Sequence, residues 1–218
     1  MRIHFLILAI ICVLYILAVI YENKDNLYHI GLSCLTTRVL ISVPTNPTLL
    51  KSINRVLDEN IRDRYQYTFI DFGSGFGSLL EQMRHKHVKL IGVELEKSSH
   101  DEANQTLQIH ENIVLENKDM EKFVFPNEDI ILYMYEPLFL LLDCHKRRKI
   151  YNQVIANLGK SNKHRKTFVM YVQANNVSHS HQNCEFDFRI FENHGYRLKN
   201  HSTSNLWPLS RNIYLFER

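Results

Sequence analysis

Apolar and polar positions alternate with three different rhythms along this chain. From Phe5 to Tyr21 no residue is charged, and the run is apolar all round. At ~1.5 Å per residue such a helix is comparable in length to a hydrocarbon core ~30 Å thick. A core helix would carry a polar face. A cleaved leader would have a shorter apolar run and a small-x-small site, which Ala18-Val19-Ile20 does not supply. The pattern therefore predicts a transmembrane anchor over 1–21, a connector over 22–43 and a folded domain over 44–218.

The second rhythm is helical. Leu49, Leu50, Ile53, Val56, Leu57 and Ile61 recur at helical spacing behind Pro44-Thr45-Asn46-Pro47, which predicts an amphipathic helix over 47–63. The third rhythm alternates short apolar runs with helical segments. Strands are expected at Tyr67–Phe72, Lys89–Glu94, Asn112–Glu116, Asp129–Tyr135 and Thr167–Gln173. Helices are expected from Gly77 to about His85 and from Ser98 to His110, the latter capped by Ser98 or Ser99 with Asp101 and Glu102 in its first turn. Two more run from Leu138 to about Leu158, closed by Gly159, and from Cys184 to His194, stopped by Gly195. Tyr196–His201 and Asn212–Glu217 follow as two strands joined by a short loop, which favours an antiparallel hairpin. The pattern is that of an α/β domain, a doubly wound, mostly parallel sheet of seven strands with helices on both faces.

The first strand runs into Asp71-Phe72-Gly73-Ser74-Gly75-Phe76-Gly77. Glycines at a strand-to-helix turn let the backbone approach a ligand closely. A carboxylate just before them repels a pyrophosphate, so the loop suits a cofactor with a cationic or hydroxyl-bearing part. In doubly wound sheets the ligand lies outside the carboxyl ends of the strands. Those ends carry Asp71, Glu94, Asp119 with Met120, and Tyr135-Glu136-Pro137. Glu94 can accept both hydroxyls of a ribose, Asp119 the amino group of an adenine, and Asp71 an ammonium. A single acid after a strand is commonly just solvated; four in register are harder to dismiss. The dinucleotide fingerprint is the rival, and Gly73, Gly75 and Glu94 fit it. Ser78 stands where its third small residue belongs, and Asp71 and Gly77 depart from it.

Composition narrows this further. Hydrophobic residues make up 45% of 218, enough for a real core. Net charge is +3, and aromatics do not interleave with a basic stripe, so no nucleic-acid partner is indicated. His145-Lys146-Arg147-Arg148-Lys149 is the densest basic cluster, a solvated helix start or a patch for a membrane surface or acidic partner. Cys12, Cys34, Cys144 and Cys184 form no CxxC unit and read as reduced thiols. His179 and His181 lack metal-site spacing, and no metal is expected.

The order D-x-G-x-G-x-G, an acid at the second strand end, then Asp after the third, closely resembles the class I S-adenosylmethionine-dependent methyltransferases. The resemblance covers roughly residues 44–218. It implies a Rossmann-like, doubly wound seven-stranded sheet with an antiparallel last strand, and S-adenosyl-L-methionine as cofactor. Carried over, Asp71, Gly73, Ser74, Gly75 and Gly77 would line its methionine part, Glu94 would bind the ribose, and Asp119 with Met120 the adenine. The transmembrane segment, Val43-Pro44-Thr45, the glycine turn and Gly92-Val93-Glu94 are together similar to membrane-anchored lysine methyltransferases of mitochondrial inner-membrane proteins. Tyr135-Glu136-Pro137-Leu138 is loosely similar to the N/D-P-P-Y/F tetrad of amino-group methyltransferases. Tyr135 and Glu136 are thus the catalytic candidates, Glu136 receiving a proton or holding the amine and Tyr135 offering an aromatic face to a cation. The resemblance implies a protein substrate, a single-pass membrane location, and a domain facing the cytosol or mitochondrial matrix, where the cofactor is supplied. A small-molecule or lipid methyltransferase and a catalytically silent scaffold are the alternatives.

Overall fold

The computed structural model describes residues 46–135, 144–174, 187–204 and 211–218. The expected anchor over 1–21, the connector over 22–43, Thr45, Glu136, Pro137, His179 and His181 lie outside the described residues. Among the described residues no helix is long and apolar enough to cross a membrane.

Helix α1 spans Pro47–Asn60. The Asn46 side chain accepts the Thr48 N–H at 2.8 Å, and Pro47 occupies the first turn, where its missing N–H costs nothing. Its stripe of Leu49, Ile53, Val56 and Leu57 is buried. Strand β1 is Thr68–Phe72, with all five residues buried. It is followed by α2 (Ser78–Met83), β2 (Lys89–Glu94), α3 (Lys97–Leu107), β3 (Ile113–Asn117) and β4 (Ile130–Tyr135). Then come α4 (Cys144–Ser161), β5 (Thr167–Ala174), α5 (Arg189–Glu192), β6 (Arg197–Ser204) and β7 (Arg211–Glu217).

The seven strands form one sheet in the order β3-β2-β1-β4-β5-β7-β6. β1 to β5 are parallel, and β7 runs antiparallel between β5 and β6. The expected seven-stranded doubly wound sheet with an antiparallel last strand is what the chain forms. One core lies under α1, α2 and α3, where Leu49, Ile53, Leu80 and Leu107 meet Phe69, Tyr133 and Ile213. The other lies under α4 and α5, where Tyr151, Val154, Leu158 and Phe191 meet Ile70, Leu132 and Tyr171. The sequence builds outward from β1 through β2 to β3, then returns to place β4 on the other side of β1. This reversal is the switch point at which doubly wound sheets leave a crevice at the carboxyl ends of the strands.

Several local expectations change. Glu96, not Ser98 or Ser99, caps α3, its side chain accepting the Ser99 N–H at 2.7 Å. The helix therefore starts one residue early, and Asp101 and Glu102 fall beyond its first turn. Gly159 lies inside α4 and does not close it. A Cβ there would come within 2.5 Å of Arg218 Nη1, the mobile tip of a long side chain, so nothing rigid in its surroundings requires that glycine. Gly195 does stop its helical segment: at φ +82° it lets its own N–H bond Glu192 O and the Tyr196 N–H bond Phe191 O.

Candidate functional site

The turn after β1 is built by glycine. Gly73, Gly75 and Gly77 have φ of +77°, +52° and +76°, a region that L side chains rarely adopt. Those conformations bend the chain back so that the Gly73 and Ser74 N–H groups both donate to Val93 O, at 2.9 and 3.3 Å. The Gly77 N–H then closes the turn on Ser74 O at 2.8 Å. The loop is thereby tied to the end of β2, beside Glu94.

Glu94 completes that tie. Its Oε2 accepts the Gly75 N–H at 2.9 Å and its Oε1 accepts the Glu96 N–H at 2.8 Å. Each carboxylate oxygen can accept a second hydrogen bond. Asn117, at the end of β3, donates from Nδ2 to Glu94 O and Leu95 O at 2.9 and 3.1 Å. Sequence reasoning passed over Asn117, because nothing in its spacing distinguishes it from any polar residue at a strand end. Asp119 accepts the Glu121 N–H at 3.0 Å and caps the single turn Met120–Lys122. Met120 packs beside the Ile70–Leu132 core. Asp71, the glycine loop, Glu94, Asp119 and Met120 therefore gather along one edge of the sheet.

Asp71 has the most unusual surroundings. It pairs in register with Gly92 on one side and Tyr133 on the other, and is 4% exposed. Its carboxylate makes no hydrogen bond among the described residues. Burial, and then the charge of Glu94, push its pKa up to about 8. Tyr133 Oη beside it is buried with no partner, and burial followed by the charge of Asp71 holds its pKa well above the ordinary tyrosine range. Ser74 Oγ is likewise buried and unpartnered, close against Gly92. Tyr133 Oη and Ser74 Oγ, buried without partners beside the Asp71 carboxylate, leave bonding capacity at this edge that a ligand can take up.

Tyr135 stands at the end of β4, half-buried at the rim of the same core. Its hydroxyl accepts a hydrogen bond from Arg211 Nε at the start of β7. It is therefore tied by its oxygen to a cation, a role its sequence position did not suggest. Arg211 is the second residue that sequence reasoning missed, since only the sheet brings β7 to β4. Among the described residues no group of His, Cys, Asp or Glu could hold a metal ion.

No protein-family model matches this chain. No curated protein matches it in sequence. Solved structures do match its fold. The N-methyltransferase NodS from Bradyrhizobium japonicum WM9, in complex with S-adenosyl-L-homocysteine, aligns with a TM-score of 0.60 at 13% identity, over 79% of this chain and 88% of that one. Magnesium protoporphyrin IX methyltransferase from Synechocystis PCC 6803, with bound S-adenosylmethionine, aligns with a TM-score of 0.58 at 11% identity, over 78% and 80%. A SAM-dependent methyltransferase from Aquifex aeolicus aligns with a TM-score of 0.56 at 12% identity, over 79% and 94%. At these identities the likeness is one of fold: the chain has the Rossmann-like fold on which these methyltransferases are built.

Proposed function

We propose that this chain is an S-adenosylmethionine-dependent methyltransferase, held to a membrane by residues 1–21 and acting on a lysine of a protein substrate. The observation that carries the enzyme reading is the buried Asp71 carboxylate, without a hydrogen bond, at the switch point of a methyltransferase-type sheet. An ammonium group is the partner such a carboxylate lacks. The cofactor's amino-acid end supplies one, so the residues present fit it. Its uncharged adenosyl end fits Glu94, whose oxygens retain acceptor capacity toward ribose hydroxyls, and Asp119 with Met120 toward adenine. The turn of Gly73, Ser74, Gly75 and Gly77 has few side chains, which would let the methionine part lie against its backbone at exposed Gly73.

When bound, the cofactor supplies an electrophilic methyl group on a positively charged sulfur. The protein's part is to bring a nucleophile into line with it, and such positioning contributes on the order of 7 kcal/mol or more. Tyr135 ends the switch-point strand β4 and Glu136 is next in sequence; they are the acceptor-side candidates, with Glu136 holding the amine. The uncharged run Phe5–Tyr21 supports the anchor, which would raise the local concentration of membrane-bound substrates. The facing of the domain toward the cytosol or the mitochondrial matrix follows from where the cofactor is supplied.

Calorimetry of the full chain with S-adenosylmethionine tests the enzyme reading. Binding by the wild type and its loss in Asp71→Ala are expected; a wild type that does not bind leaves only a silent scaffold. Incubating membranes and cytosol with methyl-labelled cofactor tests the substrate, with Gly75→Arg as the inactive control. Label in a membrane-associated protein is expected, and label confined to small molecules or lipids transfers the function to those acceptors.

A further inference from the structure

The carboxyl edge of the sheet has two sides of different chemistry. With an ammonium at Asp71 on β1, and ribose and adenine toward Glu94 on β2 and Asp119 beyond β3, the cofactor extends from β1 toward β3. An acceptor must then approach from β4, β5 and β7. On that side, Tyr133, Tyr135 and Arg211 share the face that carries Asp71. Ser202 and Ser204, farther out on β6, are engaged by Arg55 and Ser52 of α1. Among the described residues, Tyr135 and Arg211 are thus the pair on that side.

Their geometry is specific. Tyr135 is in register with Val172 of β5, whereas Arg211 pairs with Ala174, two residues nearer the edge. The arginine reaches back across β5 to donate from Nε to Tyr135 Oη. A guanidinium N–H given to a phenol oxygen is a charge-assisted bond that strengthens as the oxygen becomes negative. A strap between β7 and β4 would need only a neutral donor.

We propose that Arg211 makes Tyr135 the base that takes a proton from the acceptor amine, an inference that rests on the methyltransferase reading above. The phenolate oxygen of Tyr135 takes one proton from the acceptor ammonium, which leaves the nitrogen electron pair for the new bond to carbon. The resulting phenol returns that proton to solvent before the next turnover. Arg211 acts through Tyr135 and is a positioning residue. Among the described residues, Arg211 from β7 bonds the Tyr135 oxygen and favours the phenolate, and Tyr133, two residues back on the same face of β4, is neutral.

Phenolate absorbance of the full chain, titrated with and without S-adenosylhomocysteine, tests this without any acceptor. Tyr67, Tyr133, Tyr196 and Tyr214 are all shifted upward by burial, so a low-titrating tyrosine stands out. One tyrosine is expected to ionise below the ordinary value of about 10, with or without S-adenosylhomocysteine. Tyr135→Phe removes that step, Arg211→Gln moves it back upward, and Arg211→Lys keeps it. Calorimetry with S-adenosylhomocysteine on the same samples shows which variants are folded. Titrations that superimpose for wild type and Tyr135→Phe, or for wild type and Arg211→Gln, while binding persists, overturn the base alone. A wild type that does not bind S-adenosylhomocysteine overturns the methyltransferase reading and the base with it.

Discussion

The two edges of the sheet treat buried polar groups differently. At the amino edge each buried polar side chain makes at least one bond, although Arg64 Nη1, His87 Nε2 and Asn162 Oδ1 have no partner. Arg64, 1% exposed, pairs with Asp58 at 2.7 Å and donates to Asn54 at 3.0 Å. Glu128 takes the Thr68 hydroxyl and the Lys89 ammonium, and Asn162 donates to Pro126 O and Glu128 O. His87 faces Tyr67 O, and burial drives its pKa down to about 4. At the carboxyl edge Asp71, Tyr133 Oη and Ser74 Oγ are buried with no such partners. A side chain tied into the fold by at least one bond supports it; a polar side chain left in the core with none destabilises the free protein, and a ligand can relieve it. The difference marks the carboxyl edge as the side with bonding capacity left for a ligand.

The sharpest way to break this comparison is to cut one group from each edge. Asn162→Ala strips two part-buried carbonyls of their donor and should cost about 1–3 kcal/mol of stability, read by denaturant unfolding. Its cofactor affinity should match that of the wild type; a matching loss of affinity would mean that the two edges are not separable. Asp71→Asn should do the reverse. Removing the charged partner of the ammonium should cost about 2 kcal/mol of binding, roughly thirtyfold in Kd by calorimetry. The same variant should be more stable than the wild type at pH 8. Asp71 is protonated in folded and unfolded chains alike below its ordinary value of 3.8, but only in the folded chain between there and about 8. The ligand-free protein therefore loses stability across that window as pH rises, and the variant does not. Melting curves should coincide near pH 4 and separate progressively toward pH 8.

Next in size is the pH dependence of binding itself. Below about 8 the ligand's cation must displace a proton from Asp71. Affinity should rise by up to about tenfold per pH unit toward that value, with one proton released, measured by calorimetry in buffers of different ionisation enthalpy. The amino edge has the opposite sign: His87 contributes stability above its ordinary value of 6.5 that is lost as pH falls through about 4. The smallest effect is expected at Gly75→Ala, where a side chain at φ +52° costs about 1 kcal/mol and disturbs the N–H given to Glu94. Melting temperature and Kd should both move by small amounts.

Much of this was legible in the residues. β2 falls where its apolar run predicts, β1 and β4 each begin one residue later, and Asp71, Glu94 and Asp119 come to one edge, Glu136 lying outside the described residues. The helix boundaries were less legible. The cap of α3 depends on which carboxylate reaches an exposed N–H, and Glu96 reaches Ser99 before either serine can serve. Gly159 looks in sequence like a helix stop, yet the helix runs through it to Ser161. Asn117 and Arg211 carried no signal, because their partners lie in strands distant along the chain.

The sequence by itself determined the alternation of strands and helices, the glycine turn and the acids that end the strands. Periodicity and backbone freedom are local properties, and each is settled within a few residues. Only the tertiary structure decided that Asp71 is buried between Gly92 and Tyr133 without a partner, that Glu94 braces the glycine loop, and that Arg211 reaches Tyr135. Desolvation and pairing are set by what other strands bring to the same face, and no window along the chain contains that information.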